Sequence, residues 1–468
     1  MFTVADLLVA TSGRLVRGDP GRVCTGVSTD SRTLQRGQLF VALVGPRFDG
    51  HRFIGEAVAK GVSAIVVAED HAREVAEQWT VSGADASVSL VEVFDTLRAL
   101  GDLAQAHRRR STARVVAVTG SSGKTTTKEL IAAVLRARYR VLSSEGTQNN
   151  LIGVPSTLLQ LQPHHEIAVV ECGTSQPGEI ARLAEIAEPD VSVVTAVGPA
   201  HLEGLGSLEG VGREKRALVD GVRRPGTAVL NSDDPVLHSW LRNLPSGVRL
   251  VSYGYGADTS MRATDVRVGS GSTSFRVNDR WAVTWSMLGR HNVLNALAAC
   301  GVGNVFGVSW DEICGALHRV TPMRGRLSVV RAGRVTLIDD AYNANPLSVQ
   351  RALEVLQEFP CAGRRFFVFG DMRELGDSAA EWHRRVGQAA SKVAQVIVTV
   401  GDLASLAAEA ASQSRTVGNG VYRCRGNAEA VERLRSLLQP EDVVLVKGSH
   451  ASGMHQVIDA IQRDGVMV

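Results

Sequence analysis

No two cysteines in this 468-residue chain stand in C-x-x-C spacing; Cys24, Cys172, Cys300, Cys314, Cys361 and Cys424 are scattered. That excludes the common zinc ligations and a disulfide framework, and it fits a reducing compartment, so a cytoplasmic protein is expected. Excess charge of one sign is also missing. With 51 Lys and Arg against 48 Asp and Glu, the net charge of +3 leaves no footprint for nucleic acid or an anionic membrane. The one dense basic run, His107-Arg108-Arg109-Arg110, is expected to be a solvated linker. The N-terminus lacks a basic segment followed by an apolar core, because Asp6 interrupts its short apolar stretch, and no signal peptide is expected. The longest charge-free segment, 291–310, contains Asn292, Asn295, Asn304, Gly301, Gly303 and Gly307. It reads as a buried helix plus loop rather than a membrane span.

What remains is ordinary globular composition, 44% hydrophobic and 21% charged, at a length suited to about three domains. The first part alternates short strands (39–43, 64–67) with helices (53–60, 94–107), and a Gly/Ser/Ala stretch at 82–87 reads as a loop. A second part carries buried Val- and Ile-rich strands at 115–118, 167–170 and 191–197, separated by helices, which predicts a parallel sheet with ligands at the strands' C-terminal ends. Segment 248–285 alternates polar and apolar residues among Gly, Ser and Thr and is expected to be antiparallel. A third part follows Met323-Arg324-Gly325-Arg326, with strands at 335–338, 366–369, 396–400 and 443–446 and helices at 348–359 and 428–438. No G-x-G-x-x-G follows a strand there, so no nicotinamide site is expected. The prediction is an α/β chain of three domains: a small α/β N-terminal domain (1–110), a central P-loop mononucleotide-binding parallel sheet (111–322) and a C-terminal Rossmann-like sheet (323–468).

The sharpest motif is Thr119-Gly120-Ser121-Ser122-Gly123-Lys124-Thr125-Thr126-Thr127, directly after a β-branched strand and opening a helix expected over 125–138. Glycines let backbone N–H groups approach an anion, the helix N-terminus adds positive potential, and Lys124 supplies a full charge. Val118 stands where the longer Walker pattern has a glycine, so only the G-x-x-G-K-T core is present. A nucleoside triphosphate is expected on Gly120, Ser122, Gly123, Lys124, Thr125 and Thr126, with the Thr125 hydroxyl placed for Mg²⁺. Glu171 closes the strand at 167–170, where a carboxylate can complete a Mg²⁺ shell. Spacing alone marks neither His201 nor Lys215. The run Asp339-Asp340-Ala341-Tyr342-Asn343-Ala344-Asn345-Pro346 reads either as a grip for ribose or peptide, or as an Asx-rich turn ending at a helix N1 proline.

These elements, in this order, resemble the Mur ligases. The resemblance runs through Thr29-Asp30-Ser31-Arg32, Asp49-Gly50-His51, the P-loop, Asn149-Asn150-Leu151-Ile152-Gly153-Val154-Pro155, Ala200-His201-Leu202-Glu203, Gly289-Arg290-His291-Asn292-Val293-Leu294-Asn295-Ala296, Gly325-Arg326 and Lys447-Gly448-Ser449. The 339–346 run, Gly370-Asp371-Met372-Arg373-Glu374-Leu375-Gly376 and His383 resemble the branch that adds D-Ala-D-Ala to UDP-N-acetylmuramoyl-tripeptide. The resemblance implies an ATP-dependent, ADP-forming peptide ligase of peptidoglycan precursor synthesis, working through an acyl phosphate. It implies ATP contacts from Asn292, Asn295, Arg326 and Asp340, and two Mg²⁺ sites held by Thr125, Glu171, His201 and a carbamylated Lys215. Lys124, His201 and Lys215 would be catalytic. Ser31, Arg32, Asp49 and His51 would sit on the UDP-sugar side, Asn149 and Asn150 with substrate, and Asn343, Asn345 and Glu374 towards the dipeptide. A monomer is expected, with no nucleic acid and no membrane insertion. The chain departs from the family pattern at Ala196 and Thr147, where asparagines are usual, at Ala217 (an acid) and at His450 (an arginine). A paralogous ATP-dependent amide ligase for another carboxylate and amine is the alternative. Lys124→Ala is expected to abolish ATP turnover, measured as phosphate release, while leaving the circular-dichroism spectrum and melting curve intact.

Overall fold

The structure, a computed structural model, describes residues 1–45, 48–82, 88–269, 271–414 and 420–463. Val115, Val116, Ala117 and Val118 have no exposed surface, and each buried valine contributes roughly 1.5–3 kcal/mol of apolar burial. Stiff β-branched side chains favour the extended backbone, and burial on both faces requires neighbours on both sides. Strand Arg114–Thr119 accordingly pairs in parallel with Ile167–Glu171 on one side and Val191–Val194 on the other. It lies inside a nine-stranded sheet that continues through Gly226–Asn231 and Val248–Gly254. The chain leaves Arg114–Thr119, crosses to the outer strand Val141–Ser143, and returns through Ile167–Glu171 before reaching Val191–Val194. The strand order therefore reverses around the P-loop strand, and a crevice opens at its C-terminal end.

The antiparallel expectation for 248–285 needs correction. Strand Val248–Gly254 pairs in parallel with Gly226–Asn231, because helix Pro235–Trp240 supplies the crossover that parallel strands need. Within this segment the antiparallel pairs are Met261–Val268 with Thr273–Val277 and Thr273–Val277 with Trp281–Trp285. The charge-free segment is the expected helix plus loop: helix Arg290–Val305, followed by 306–309, packs against Lys124–Arg136, the helix that the P-loop opens.

A five-stranded sheet precedes this block, in the order Arg14–Arg17, Ser89–Val93, Ala64–Ala68, Leu39–Val41, Val27–Ser28. The loop expected at 82–87 lies outside the described residues from 83 on. A six-stranded sheet follows, in the order Ser328–Ala332, Val335–Asp340, Val443–Lys447, Arg365–Gly370, Val396–Val400, Val421–Cys424, and all but its first pair are parallel. The fold is α/β, built on three large sheets with two further two-stranded ribbons among the described residues. Among the described residues no helix is long and apolar enough to cross a membrane.

The run 107–110 is not a solvated linker. It forms the last turn of helix Thr96–Arg110, and Arg108 is buried. Arg108 Nε donates to Ala187 O (3.1 Å), and Nη2 donates to Asp190 Oδ2 (3.1 Å) and Glu188 O (3.4 Å). Helix Glu179–Ala187 ends there with free carbonyls and negative potential, and an arginine fork satisfies both. Arg109 pairs with Glu188 (2.6 Å) and Arg110 with Asp6 (3.4 Å). Composition could not distinguish this clamp from a linker, because its partners, two carbonyls and the Asp190 carboxylate, lie about 80 residues away. Arg108→Ala is expected to cost on the order of 2–4 kcal/mol in denaturant unfolding. Arg109→Ala, at an arginine more than half exposed, should cost less than about 1 kcal/mol.

Candidate active site

Two glycines let the P-loop close against its neighbours. Gly120 has φ of +149°, and a Cβ there would lie 1.9 Å from Thr195 Oγ1. Gly123 has φ of +84°, and its Cβ would lie 2.7 Å from Asn295 Oδ1. The loop is also braced by hydrogen bonds from the adjoining strand end. Thr195 Oγ1 donates to Ser122 O (2.6 Å), Ser121 N to Ala196 O (2.8 Å) and Ser121 Oγ to Gly198 O (2.9 Å). Lys124 Nζ folds back onto Gly120 O (2.8 Å), and burial lowers its pKa.

Glu171, at the end of the neighbouring strand, is 1% exposed. Its Oε1 accepts from Asn149 Nδ2 (2.7 Å), while the buried Oε2 has no partner among the described residues. The Thr125 hydroxyl accepts from Arg326 Nη2 (2.9 Å). An unpartnered carboxylate oxygen and a hydroxyl, lining the cleft that holds the phosphate cradle, are hard oxygen donors suited to Mg²⁺. Lys215 lies in helix Leu208–Asp220, and its buried Nζ has no partner among the described residues. Burial first, then repulsion from Lys124, lowers its pKa to about 7. Its neighbour Glu214 is committed to the start of another helix, accepting from Gly178 N (2.8 Å) and Ile180 N (2.7 Å).

Two left-handed residues meet across the sheets. His201 (φ +55°) places Nδ1 2.5 Å from Oε2 of Glu374 (φ +64°), and Glu203 N donates to Glu374 O (3.3 Å). The contact with His201 holds the Glu374 carboxyl below its usual range. Asn292 and Asn295 are buried on the first turns of Arg290–Val305, where Asn295 Nδ2 donates to Asn292 Oδ1 (2.9 Å) and Asn292 Nδ2 to Leu288 O (2.8 Å).

From the C-terminal sheet, Arg326 stacks on Tyr342 (4.3 Å), whose hydroxyl donates to Thr147 Oγ1 (2.8 Å). Lys447 Nζ donates to Asp340 Oδ2 (2.5 Å) and Asn343 O (3.0 Å). Burial pushes the Asp340 carboxyl up, against the pull of Lys447. Asn345 caps helix Pro346–Glu358, accepting from Ser348 N (2.9 Å), and its Nδ2 donates to Ser121 O in the P-loop (2.9 Å). The 339–346 run is thus a capped turn that also docks on the phosphate cradle.

One cleft of about 360 Å³ gathers Ser122, Gly123, Lys124, Thr125, Thr126, Asn149, Asn150, Glu171, His201, Asn292, Asn295, Arg326, Asp340, Asn343 and Asn345. Gly120, Lys215 and Glu374 are absent from its lining. Ser31, Arg32, Asp49 and His51 lie apart from it, on the N-terminal sheet's periphery. There Ser31 Oγ donates to Glu56 Oε2 (2.9 Å) and Arg32 pairs with Asp30 (2.6 Å). His51 bridges Asp49 Oδ1 (2.6 Å) and Ala68 N (3.0 Å), and stacks on His71 at 3.9 Å. Sequence reasoning did not assign Lys447 as the partner of Asp340 or Tyr342 as a bridge. A lysine ending the apolar run 443–446 was the available signal for the first, and nothing local signalled the second.

Fold and cleft define a P-loop α/β protein with a second Rossmann-like sheet docked over its phosphate cradle. Three family models match the chain in succession: Mur ligase family, catalytic domain (23–108), Mur ligase middle domain (118–303) and Mur ligase, glutamate ligase domain (325–450). The chain belongs to the Mur ligase family. It is 36% identical to the UDP-N-acetylmuramoyl-tripeptide--D-alanyl-D-alanine ligase of Escherichia coli (strain K12), over 99% of both chains. It is structurally similar to MurF from Acinetobacter baumannii, with a TM-score of 0.87, 30% identity and 99% of both chains covered. It is likewise similar to the MurF ligase from Thermotoga maritima in complex with ADP, with a TM-score of 0.81, 28% identity, and 94% of this chain and 97% of that one covered.

The Lys215 shift carries a sign. The unfolded chain takes up the lysine proton below 10.5, whereas the native chain does so only below about 7. Native stability is therefore lost as pH falls from 10.5 to 7, and no more is lost below that. In bicarbonate-free buffer, Lys215→Met should melt progressively higher than the parent as pH is lowered through this window. A pH-independent difference would contradict the assignment.

Proposed function

We propose that the chain is an ATP-dependent, ADP-forming ligase that joins D-Ala-D-Ala to UDP-N-acetylmuramoyl-tripeptide in peptidoglycan precursor synthesis. The observation that carries this reading is the single cleft in which Lys124, Thr125, Glu171, His201, Arg326 and Asp340 converge from two sheets. Whole-length similarity to ligases of that name supplies the substrate pair.

In this reading the P-loop amides and Lys124 hold the triphosphate, Arg326 contacts phosphate, Asp340 the ribose, and Asn292 and Asn295 the adenine. A carboxylate oxygen of the tripeptide attacks the γ-phosphorus, and the bond to the β,γ-bridging oxygen breaks to release ADP. The D-Ala-D-Ala amine then adds to the acyl carbon, loses its proton, and expels phosphate from the tetrahedral intermediate. Two anions must meet in the first step, so Lys124 and Arg326 lower their repulsion in a partly dry cleft, where such contacts are each worth on the order of 10²–10³ in rate.

Thr125 and Glu171 would hold one Mg²⁺, with His201 and Lys215 serving a second. Bound there, Mg²⁺ would neutralise charge on the transferring phosphoryl group. With its pKa lowered to about 7, Lys215 offers a neutral amine that can add to carbon dioxide, releasing a proton and leaving an anionic carbamate where the unpartnered amine stood. Ser31, Arg32, Asp49 and His51 are assigned to the UDP-sugar side, Asn149 and Asn150 to the tripeptide, and Asn343, Asn345 and Glu374 to the dipeptide side. Residues 1–110, 111–322 and 323–468 are the corresponding domains of a monomer. Six free cysteines support a cytoplasmic setting.

The test is phosphate release from ATP and Mg²⁺ with UDP-N-acetylmuramoyl-tripeptide, with and without D-Ala-D-Ala. Release should require both substrates and yield a UDP-linked pentapeptide by mass. Release indifferent to the dipeptide would redirect the search to another amine.

A further inference from the structure

Lys128 lies on helix Lys124–Arg136, one turn beyond Thr125, and no part of it reaches solvent. It does not line the cleft. A buried ammonium is costly unless its three protons are accepted, and here all three are. Nζ donates to Glu129 Oε1 (2.5 Å), Ser144 O (2.6 Å) and Gly146 O (3.3 Å). Two of these acceptors are main-chain carbonyls at the start of one segment, 144–150.

The same segment reaches Glu171 twice. Ser144 Oγ accepts from Glu171 N (3.4 Å), and Asn149 Nδ2 donates to Glu171 Oε1 (2.7 Å). Asn149 has little freedom to move. Its carbonyl accepts from Gly173 N (2.7 Å), and a Cβ on Gly173 would approach its Cγ to 2.7 Å. Asn150 Oδ1 fixes the far end, accepting from Gly153 N (2.9 Å) and Ile152 N (3.1 Å). The segment thus occupies one oxygen of Glu171 and leaves Oε2 without a partner among the described residues.

We infer that Lys128 is a positioning residue. By pinning 144–146 to the P-loop helix, it sets Asn149 against Glu171, so that the free Oε2 and the Thr125 hydroxyl stay in register on elements joined by one buried cation. The inference rests on reading Thr125 and Glu171 as magnesium donors. A lysine that only filled a buried hole would affect stability and leave the metal response unchanged.

ADP binding to the full chain, measured by titration calorimetry with Mg²⁺ and with EDTA, separates these cases. The parent should bind ADP more tightly with Mg²⁺, and Glu171→Gln should lose that gain. Lys128→Met should keep the metal-free affinity within about twofold and lose the Mg²⁺-dependent gain, since removing a support of a metal ligand costs about 10–100-fold in metal affinity. Lys128→Arg, which keeps the charge and donors, should retain most of the gain. If Lys128→Met shows no cooperative melt, Lys128→Gln carries the same expectation. A Lys128→Met or Lys128→Gln protein with the parent's full gain, beside a Glu171→Gln protein without it, would overturn the inference and leave the metal reading standing. A parent without any gain, or a Glu171→Gln protein that keeps it, would overturn the metal reading and the inference together.

Discussion

The close approach of the Gly120–Gly123 turn to its surroundings is the constraint on which the rest depends. With no side chains at either glycine, the turn's backbone comes within reach of three separate parts of the chain. Thr195 bonds Ser122 O from the end of the adjoining strand, Asn345 bonds Ser121 O from the C-terminal sheet, and Asn295 packs on Gly123 from helix Arg290–Val305. A phosphate cradle keeps most of its N–H groups for the anion, so apart from Ser121 N, which bonds Ala196 O, its carbonyls and edges are the surfaces available for assembly. Here those surfaces hold the two sheets together. Binding geometry and domain docking are set by the same few backbone atoms.

The charges behind the cradle are incompletely paired, and the pattern of what is missing is informative. Buried polar atoms are normally satisfied, yet Glu171 Oε2 and Lys215 Nζ have no partners among the described residues. They do not pair with each other, and the depressed pKa of Lys215 stems from burial and from Lys124. Leaving both orphaned costs stability in the free protein. In the proposed reading each defect would be removed by a different addition, a cation beside the carboxylate and a carboxyl group on the amine, forming a carbamate. Preorganised sites carry such strain because the bound state relieves it.

Much of the fold was legible because its strands are short apolar runs with turn residues at their ends. At Arg114–Thr119 and Ile167–Glu171, burial on both faces leaves a continuous β-branched signal. Strand Val248–Gly254 was misread because half of it is not buried, so its alternation looked like that of the hairpins beyond it. The clamp at Arg108 was invisible for another reason. Most of its acceptors are carbonyls at a helix end, and backbone groups leave no trace in composition. In the cleft, motif order pointed to residues on several elements, but pairings such as Lys447 with Asp340 depend on strand neighbours fixed only by the sheet's order.

The positions that depart from the family pattern show what this chain has changed. Thr147 and His450 are about 300 residues apart in sequence, yet both touch Tyr342, the first by a hydrogen bond of 2.8 Å and the second by ring contact at 5.6 Å. Arg326 lies over the same ring and reaches the Thr125 hydroxyl. Ala196 meets the P-loop through its carbonyl, a contact that any side chain would allow. Ala217 lies on the helix of Lys215 without entering the cleft. Of the four, Thr147 alone lines the cleft, and its hydroxyl is engaged by Tyr342. Two converge on one aromatic residue at the join between sheets, where a hydroxyl and an imidazole stand in for the longer side chains of the pattern. Two of the four departures thus fall on the surface by which the C-terminal sheet docks upon the cradle, and none lies within the Gly120–Thr125 turn itself.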